Sequence, residues 1–295
     1  MSGPQLPALG PVREPTGEGY LDREGVRLHW LEWAPSGTPE PPAILLLHGL
    51  SSNARYWERV ARSMTNRRLV ALDQRSHGLS DSPPTGYGLD LLAADAGHAI
   101  RELGLNRPIV VGHSWGGTVA LEVGATPADL ISGVAVMDGP IASMSERIKW
   151  EDASRMMQPP LPRYRSFEEA FEASRQVLGE AWGDDLQGFV EAGLRRDGDF
   201  WVLTLVAPVR LQILEQLYRF RPEVAIAAID APLLIGLAAN DTAMRAWKEE
   251  GARRVHEIRP DADIRWYQSR HDIPLIRPDE VASDLEALAR SVVSV

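Results

Sequence analysis

One short segment constrains this chain more than any other. Residues 108–111 form an apolar run without alternation, Gly112-His113-Ser114-Trp115-Gly116 follows at once, and a helical pattern begins near Trp115. An apolar run of that kind reads as a strand buried on both faces, which requires a parallel sheet with helices above and below it. A serine at the apex of a sharp strand-to-helix turn is held in strained backbone geometry. The residues two before and two after it crowd each other, and here both are glycine. The turn lifts the Ser114 hydroxyl clear of the sheet. It also aims the Trp115 N–H, at the helix N-terminus, toward a developing oxyanion. A phosphate loop is excluded because no Gly-Lys-Ser/Thr follows. A dinucleotide turn is excluded because Ser114 stands where the second glycine is required.

The rest of the chain keeps the same rhythm, strands alternating with helices. The pattern predicts a hairpin over 20–33 turning at Glu24-Gly25, and strands at 43–47, 68–72, 133–137, 233–237 and 264–268. Helices are expected at 54–64, capped by Asn53, and at 89–103 and 279–292. Between 140 and 228 only helical patterns stand out, at 145–157, 167–178, 186–195 and 209–220. A structureless loop of that length is rare, so the block reads as an inserted helical cap. The expected division is therefore a disordered leader over 1–19, rich in proline and glycine, an α/β core over 20–139 and 229–295, and the cap over 140–228.

With Ser114 as nucleophile, the remaining groups are sought at strand ends. His48-Gly49-Leu50 follows the strand at 43–47, and the Leu50 N–H is the expected second oxyanion donor. Of seven histidines, His29 falls in the hairpin, His98 and His256 on helices, His77 in the 73–78 loop, and His48 and His113 in the two turns. His271 alone follows the last strand, and it is the expected general base. The acid that orients it is expected at Asp241, just past the strand at 233–237. The 29 residues between Asp241 and His271 suit one helix and one strand, so their loops become neighbours. Asp138, at the end of the preceding strand, is the alternative.

With these residues in place, the chain resembles the α/β-hydrolase superfamily in its serine esterase and lipase branch. The resemblance rests on His48-Gly49, on Asp73-Gln74-Arg75-Ser76-His77-Gly78-Leu79-Ser80, on the elbow, on Asp241 and on His271. It implies the chain order Ser, Asp, His and a mostly parallel eight-stranded sheet capped by a helical lid. Ser76, Ala238 and Arg270 depart from glycines common in that family. Epoxide hydrolases and haloalkane dehalogenases share the fold but use an aspartate nucleophile, which Ser114 argues against.

The activity this implies is esterase chemistry through an acyl-enzyme, with no cofactor and no metal. The same machinery also serves carbon–carbon bond hydrolases, amidases and acyltransferases, and a triad-bearing ligand receptor is a rival of another class. Cap aromatics and methionines point to a small, neutral ester as substrate, although Arg147 and Arg155 leave an anionic one open. The absence of cysteine excludes thiol catalysis and disulfides. A net charge of -10 disfavours nucleic acid as a partner. No apolar run is long enough to span a membrane, and no signal peptide is evident, so a cytoplasmic location is expected.

Overall fold

The computed structural model of the protein describes residues 13–126 and 129–293. Most of the leader expected over 1–19 lies outside the described residues. Its last three residues are not leader: they open the first strand. That strand, β1 (Gly17–Arg23), pairs antiparallel with β2 (Val26–Trp33). Glu24 and Gly25 both take positive φ, 57° and 80°, the backbone that a two-residue hairpin turn demands.

Six further strands complete the main sheet: β3 (Ile44–Leu47), β4 (Leu69–Leu72), β5 (Ile109–His113), β6 (Gly133–Met137), and, beyond the insertion, two that follow three short cap strands in the chain. The cap strands are β7 (Arg163–Tyr164), β8 (Leu194–Asp197) and β9 (Phe200–Leu203). The last two main-sheet strands are β10 (Leu233–Ala238) and β11 (Asp263–Tyr267). The spatial order is β1-β2-β4-β3-β5-β6-β10-β11. β2 meets β4 antiparallel, and every pairing from β4 to β11 is parallel. The β3, β4, β5 and β6 strands are buried along their whole length. Their Leu, Ile and Val side chains each contribute about 2 kcal/mol by leaving water.

Eleven helices punctuate the described residues: α1 (Glu58–Ser63), α2 (Leu89–Glu102), α3 (Trp115–Gly124), α4 (Trp150–Met157), α5 (Phe167–Leu178), α6 (Gln187–Ala192), α7 (Ala207–Arg219), α8 (Pro222–Ala228), α9 (Arg245–Ile258), α10 (Ile273–Ile276) and α11 (Pro278–Val293). The expected start at Asn53 is present, its side chain accepting from the Arg55 N–H at 3.1 Å. The α11 helix opens on Pro278, carries Asp279 and Glu280 in its first turn, and buries Val281, Ala282, Leu285 and Ala289 on one side, an apolar stripe of helical period.

The inserted block differs from the all-helical expectation. Its helices α4 to α7 are joined by a three-stranded antiparallel sheet, β7-β9-β8. The helix read over 186–195 ends at Ala192, and Leu194–Asp197 turns back on Phe200–Leu203 about Gly198, which has φ 59°. Arg163, Arg195, Arg196 and Asp197 conceal the period of these strands, because their outward faces are polar and each is only two to four residues long. Most of the cap aromatics pack on each other. Ring centroids lie 5.8 Å apart for Phe167 and Phe171, 5.9 Å for Phe167 and Trp201, and 4.7 Å for Phe171 and Trp182.

Candidate active site

The sheet register brings the site together. Gly112 on β5 lies opposite Leu47 on β3 and Val136 on β6, and His113 lies opposite Met137. The next residue on each strand, His48, Ser114 and Asp138, therefore leaves the sheet at one level, at the carboxyl ends where open parallel sheets bind ligands.

Ser114 has φ 53° and ψ -121°, a conformation that costs a non-glycine residue about 1–3 kcal/mol. The surroundings impose it. The Ser114 N–H donates to the Met137 carbonyl at 2.9 Å, and the Ser114 carbonyl accepts from Gly117 at 2.9 Å. A Cβ on Gly112 would fall 2.0 Å from the Gly116 carbonyl oxygen, and one on Gly116 would fall 2.3 Å from that of Leu47. Both positions exclude any side chain, as the crowding argument requires.

His271 Nε2 stands 2.9 Å from Ser114 Oγ. Its Nδ1 donates to Asp138 Oδ2 at 2.7 Å. The acid paired with His271 is thus Asp138, and the assignment of Asp241 is corrected. The two loops are neighbours, as the spacing predicts: the Asn240 N–H donates to the Ser269 carbonyl at 3.0 Å and that of Ala239 to the Tyr267 carbonyl at 2.8 Å. The Asp241 carboxylate does not turn toward His271. Asp241 turns to Lys248 Nζ, 3.2 Å away. Asp138 takes φ 49°, which swings its side chain back over the sheet toward the histidine. There Oδ1 accepts from the Ala238 N–H at 2.8 Å, and Oδ2 accepts from Lys248 Nζ at 2.9 Å as well as from His271.

Lys248 is a residue the sequence reading missed. It is 8% exposed and donates to two carboxylates and, at 3.5 Å, to the Ala238 carbonyl. Its signal is present in the sequence: Lys248, Gly251 and Val255 form the buried stripe of α9, and a lysine on a buried stripe needs a partner. Burial alone pushes the Asp138 pKa up, but the His271 hydrogen bond and the His271 and Lys248 charges outweigh it and hold the carboxyl below its usual range. Burial likewise pulls His271 down, but the hydrogen bond and charge of Asp138 prevail, and its pKa lies above the usual histidine value. Lys248 opposes that rise.

A second polar chain supports the histidine. His113 Nε2 lies 3.0 Å from the His271 carbonyl and 3.2 Å from Tyr56 Oη, and Tyr56 donates to Asp272 at 3.1 Å. Burial and the neighbouring His271 bring the His113 pKa down to about 4, so it is a neutral prop. On the other side of Ser114, His48 and His77 are also fixed neutral by main-chain donors. The Gln74 N–H donates to His48 Nε2 and the Ser51 N–H to His77 Nε2, each at 3.1 Å. His77 stacks on Trp115 with centroids 5.2 Å apart.

The turn that carries Leu50 lies beside Ser114 and Trp115. Gly49 is what allows their approach, since a Cβ there would lie 3.2 Å from that of Ser114. Neither the Leu50 nor the Trp115 N–H has an acceptor among the described residues, which leaves both open to an oxyanion. Among the described residues there is no cluster of three or more groups fit to hold a metal ion. No helix there is long and apolar enough to cross a membrane.

The family model described as "Alpha/beta hydrolase family" matches residues 44–284. The chain belongs to the alpha/beta hydrolase family. Epoxide hydrolase 3 of Xenopus tropicalis is 36% identical over 127 residues, 41% of this hydrolase chain and 34% of that protein. N-formylmaleamate deformylase of Pseudomonas putida is 24% identical over 265 residues, 87% of this chain and 90% of that one. A solved structure of E-2-(acetamidomethylene)succinate hydrolase superposes with a TM-score of 0.77 at 21% identity, covering 92% of this chain and 98% of the other. The chain spans about a third of the length of epoxide hydrolase 3 and 35% of 2-(acetamidomethylene)succinate hydrolase of Mesorhizobium japonicum.

Proposed function

We propose that this alpha/beta hydrolase is a serine hydrolase that cleaves a carboxylic ester through an acyl-enzyme, with Ser114, His271 and Asp138 as its triad. One observation carries the reading: the continuous hydrogen-bond chain from Ser114 Oγ through His271 to Asp138, set beside two unpaired N–H groups. His271 Nε2 takes the Ser114 proton as Oγ bonds to the carbonyl carbon, and the carbonyl oxygen takes up the negative charge between the Leu50 and Trp115 N–H groups. The tetrahedral species collapses, the carbon–oxygen bond to the alcohol breaks, and His271 returns the proton to the departing alkoxide. Water, deprotonated by His271, then attacks the acyl carbon, the acyl–Oγ bond breaks, and His271 returns the proton to Ser114 Oγ as the acid is released.

A carboxylate at the elbow would attack an epoxide carbon directly, whereas a hydroxyl hydrogen-bonded to a histidine suits a carbonyl. That difference separates this reading from the epoxide hydrolases that match part of the chain. The deformylase matches nearly the full length, so its N-acyl bond is the second reading. A panel of p-nitrophenyl esters of rising chain length, run beside an amide and a lactone, distinguishes them. Turnover of the esters with little of the amide supports the first reading, and the reverse supports the second. Residues 17–139, which include the whole of β1, and 229–295 form the catalytic core in this reading, and 140–228 its cap. The cap aromatics that favour a small neutral ester mostly pack on each other, so they leave the charge of the substrate open.

A further inference from the structure

The cap presents one cation to the oxyanion loop. Arg210 lies on α7, one turn in from its start, and is half-buried. Its Nε and Nη2 donate to the Met157 carbonyl at the end of α4, at 3.0 and 2.9 Å, and its Nη1 donates to Ser51 Oγ. Ser51 immediately follows the oxyanion donor Leu50. Its own backbone is strained, with φ 63°, and is tied to His77 Nε2 through its N–H. The guanidinium thus bridges the cap and the loop that binds the oxyanion.

Its acceptors are both neutral oxygens, and it makes no ion pair among the described residues. Three other buried arginines have carboxylates, Arg59 with Asp185, Arg67 with Glu286, and Arg75 with Asp95, whereas Arg13, partly buried without one, spends its bonds on the main-chain carbonyls of Ala34, Ala61 and Met64. The ionisable groups around Arg210 bring no negative charge. His77 and His48 are held neutral, and Asp138 faces His271 and Lys248. Burial without a counter-ion draws the Arg210 pKa below the usual arginine value. Of the five N–H groups a guanidinium offers, three are used, and two have no acceptor among the described residues. A tether between two neutral oxygens requires no charge, whereas an uncompensated guanidinium is suited to the bidentate binding of a carboxylate. Of the cap arginines considered from the sequence, Arg155 is exposed and pairs with Asp152, and Arg147 is exposed.

We infer that Arg210 is a specificity residue that binds a carboxylate carried by the substrate, so that the natural substrate is an acid-bearing acyl compound and not a neutral ester. The inference rests on the serine hydrolase reading above and supplies its substrate class.

The test compares matched p-nitrophenyl esters: the half esters of succinic, glutaric and adipic acids against the butyrate, valerate and hexanoate. Three chain lengths vary the distance between the ester carbonyl and the carboxylate, and uncatalysed hydrolysis is subtracted. In the wild type, kcat/KM for at least one half ester exceeds that of its neutral partner tenfold or more, and the ratio falls as salt is raised. Arg210→Gln brings the ratio to one or below, and Arg210→Lys, which keeps the charge without the fork, retains part of it. The ratio cancels any loss common to both esters, and the salt series needs no variant. Wild-type ratios near or below one at all three lengths overturn the inference. So does a high ratio that Arg210→Gln leaves unchanged. An equal loss of both esters at a constant ratio makes Arg210 a strut of the oxyanion loop. Failure of the serine hydrolase reading gives a different result: no ester of either series is turned over, and Ser114 does not react with a fluorophosphonate.

Discussion

Replacing Asp138 by asparagine removes one charge and one acceptor from beneath His271 and changes little in volume. The His271–Asp138 contact is 2.7 Å between heavy atoms, which puts the charge centres about 4 Å apart. At an effective dielectric constant of about 20, that charge stabilises the imidazolium by about 4 kcal/mol, or about three powers of ten in rate. The His271 side chain is 49% exposed, so solvent screens part of this. Two effects act in the other direction. Lys248 loses its shorter carboxylate contact and repels the imidazolium more strongly. The amide can also present its NH₂ to Nδ1 and impose the wrong tautomer, an effect that reaches about 10⁴-fold in a triad of this kind. The expected outcome is a fall of about 10³- to 10⁴-fold in kcat on p-nitrophenyl acetate. Asp241→Asn, which only weakens a 3.2 Å contact to Lys248, should cost less than about tenfold, the equivalent of one pKa unit. A greater loss from Asp241→Asn than from Asp138→Asn would restore Asp241 as the acid.

Three further outcomes follow from the same geometry. Because His271 acts as a base only when neutral, and Asp138 favours its charged form, kcat/KM should rise with pH through an apparent pKa above about 6.5; a limb at or below that value counts against the pairing. Lys248→Met removes a positive charge that disfavours the imidazolium, so the limb should move to higher pH, and a shift to lower pH would show that Lys248 acts otherwise. Gly112→Ala places a Cβ 2.0 Å from the Gly116 carbonyl and should cost at least about 3 kcal/mol of stability by urea unfolding, whereas a near-neutral effect would mean that the elbow relaxes.

Much of this site is written in the local sequence. The strand ends, the elbow and its glycines, His271 and the Gly49 turn are all visible, because each depends on backbone geometry that a few adjacent residues enforce. The acid is not, since either Asp138 or Asp241 ends a strand beside His271. The choice is made by Asp138's φ of 49° and by Lys248, seven residues past Asp241 on a helix face, which draws Asp241 away. Arg210 is similarly hidden among many cap arginines. Its distinction within the cap is partial burial without a counter-ion, a property of three-dimensional neighbours. The small cap sheet escaped notice because strands of two to four residues leave almost no period to read.

Covalent trapping reads whether Ser114 is an activated nucleophile. Incubation with a fluorophosphonate, followed by peptide mass spectrometry, should find one adduct, on Ser114, formed in step with the loss of esterase activity and absent in Ser114→Ala. An adduct on a different serine, or full esterase activity in Ser114→Ala, would mean that Ser114 is not the nucleophile.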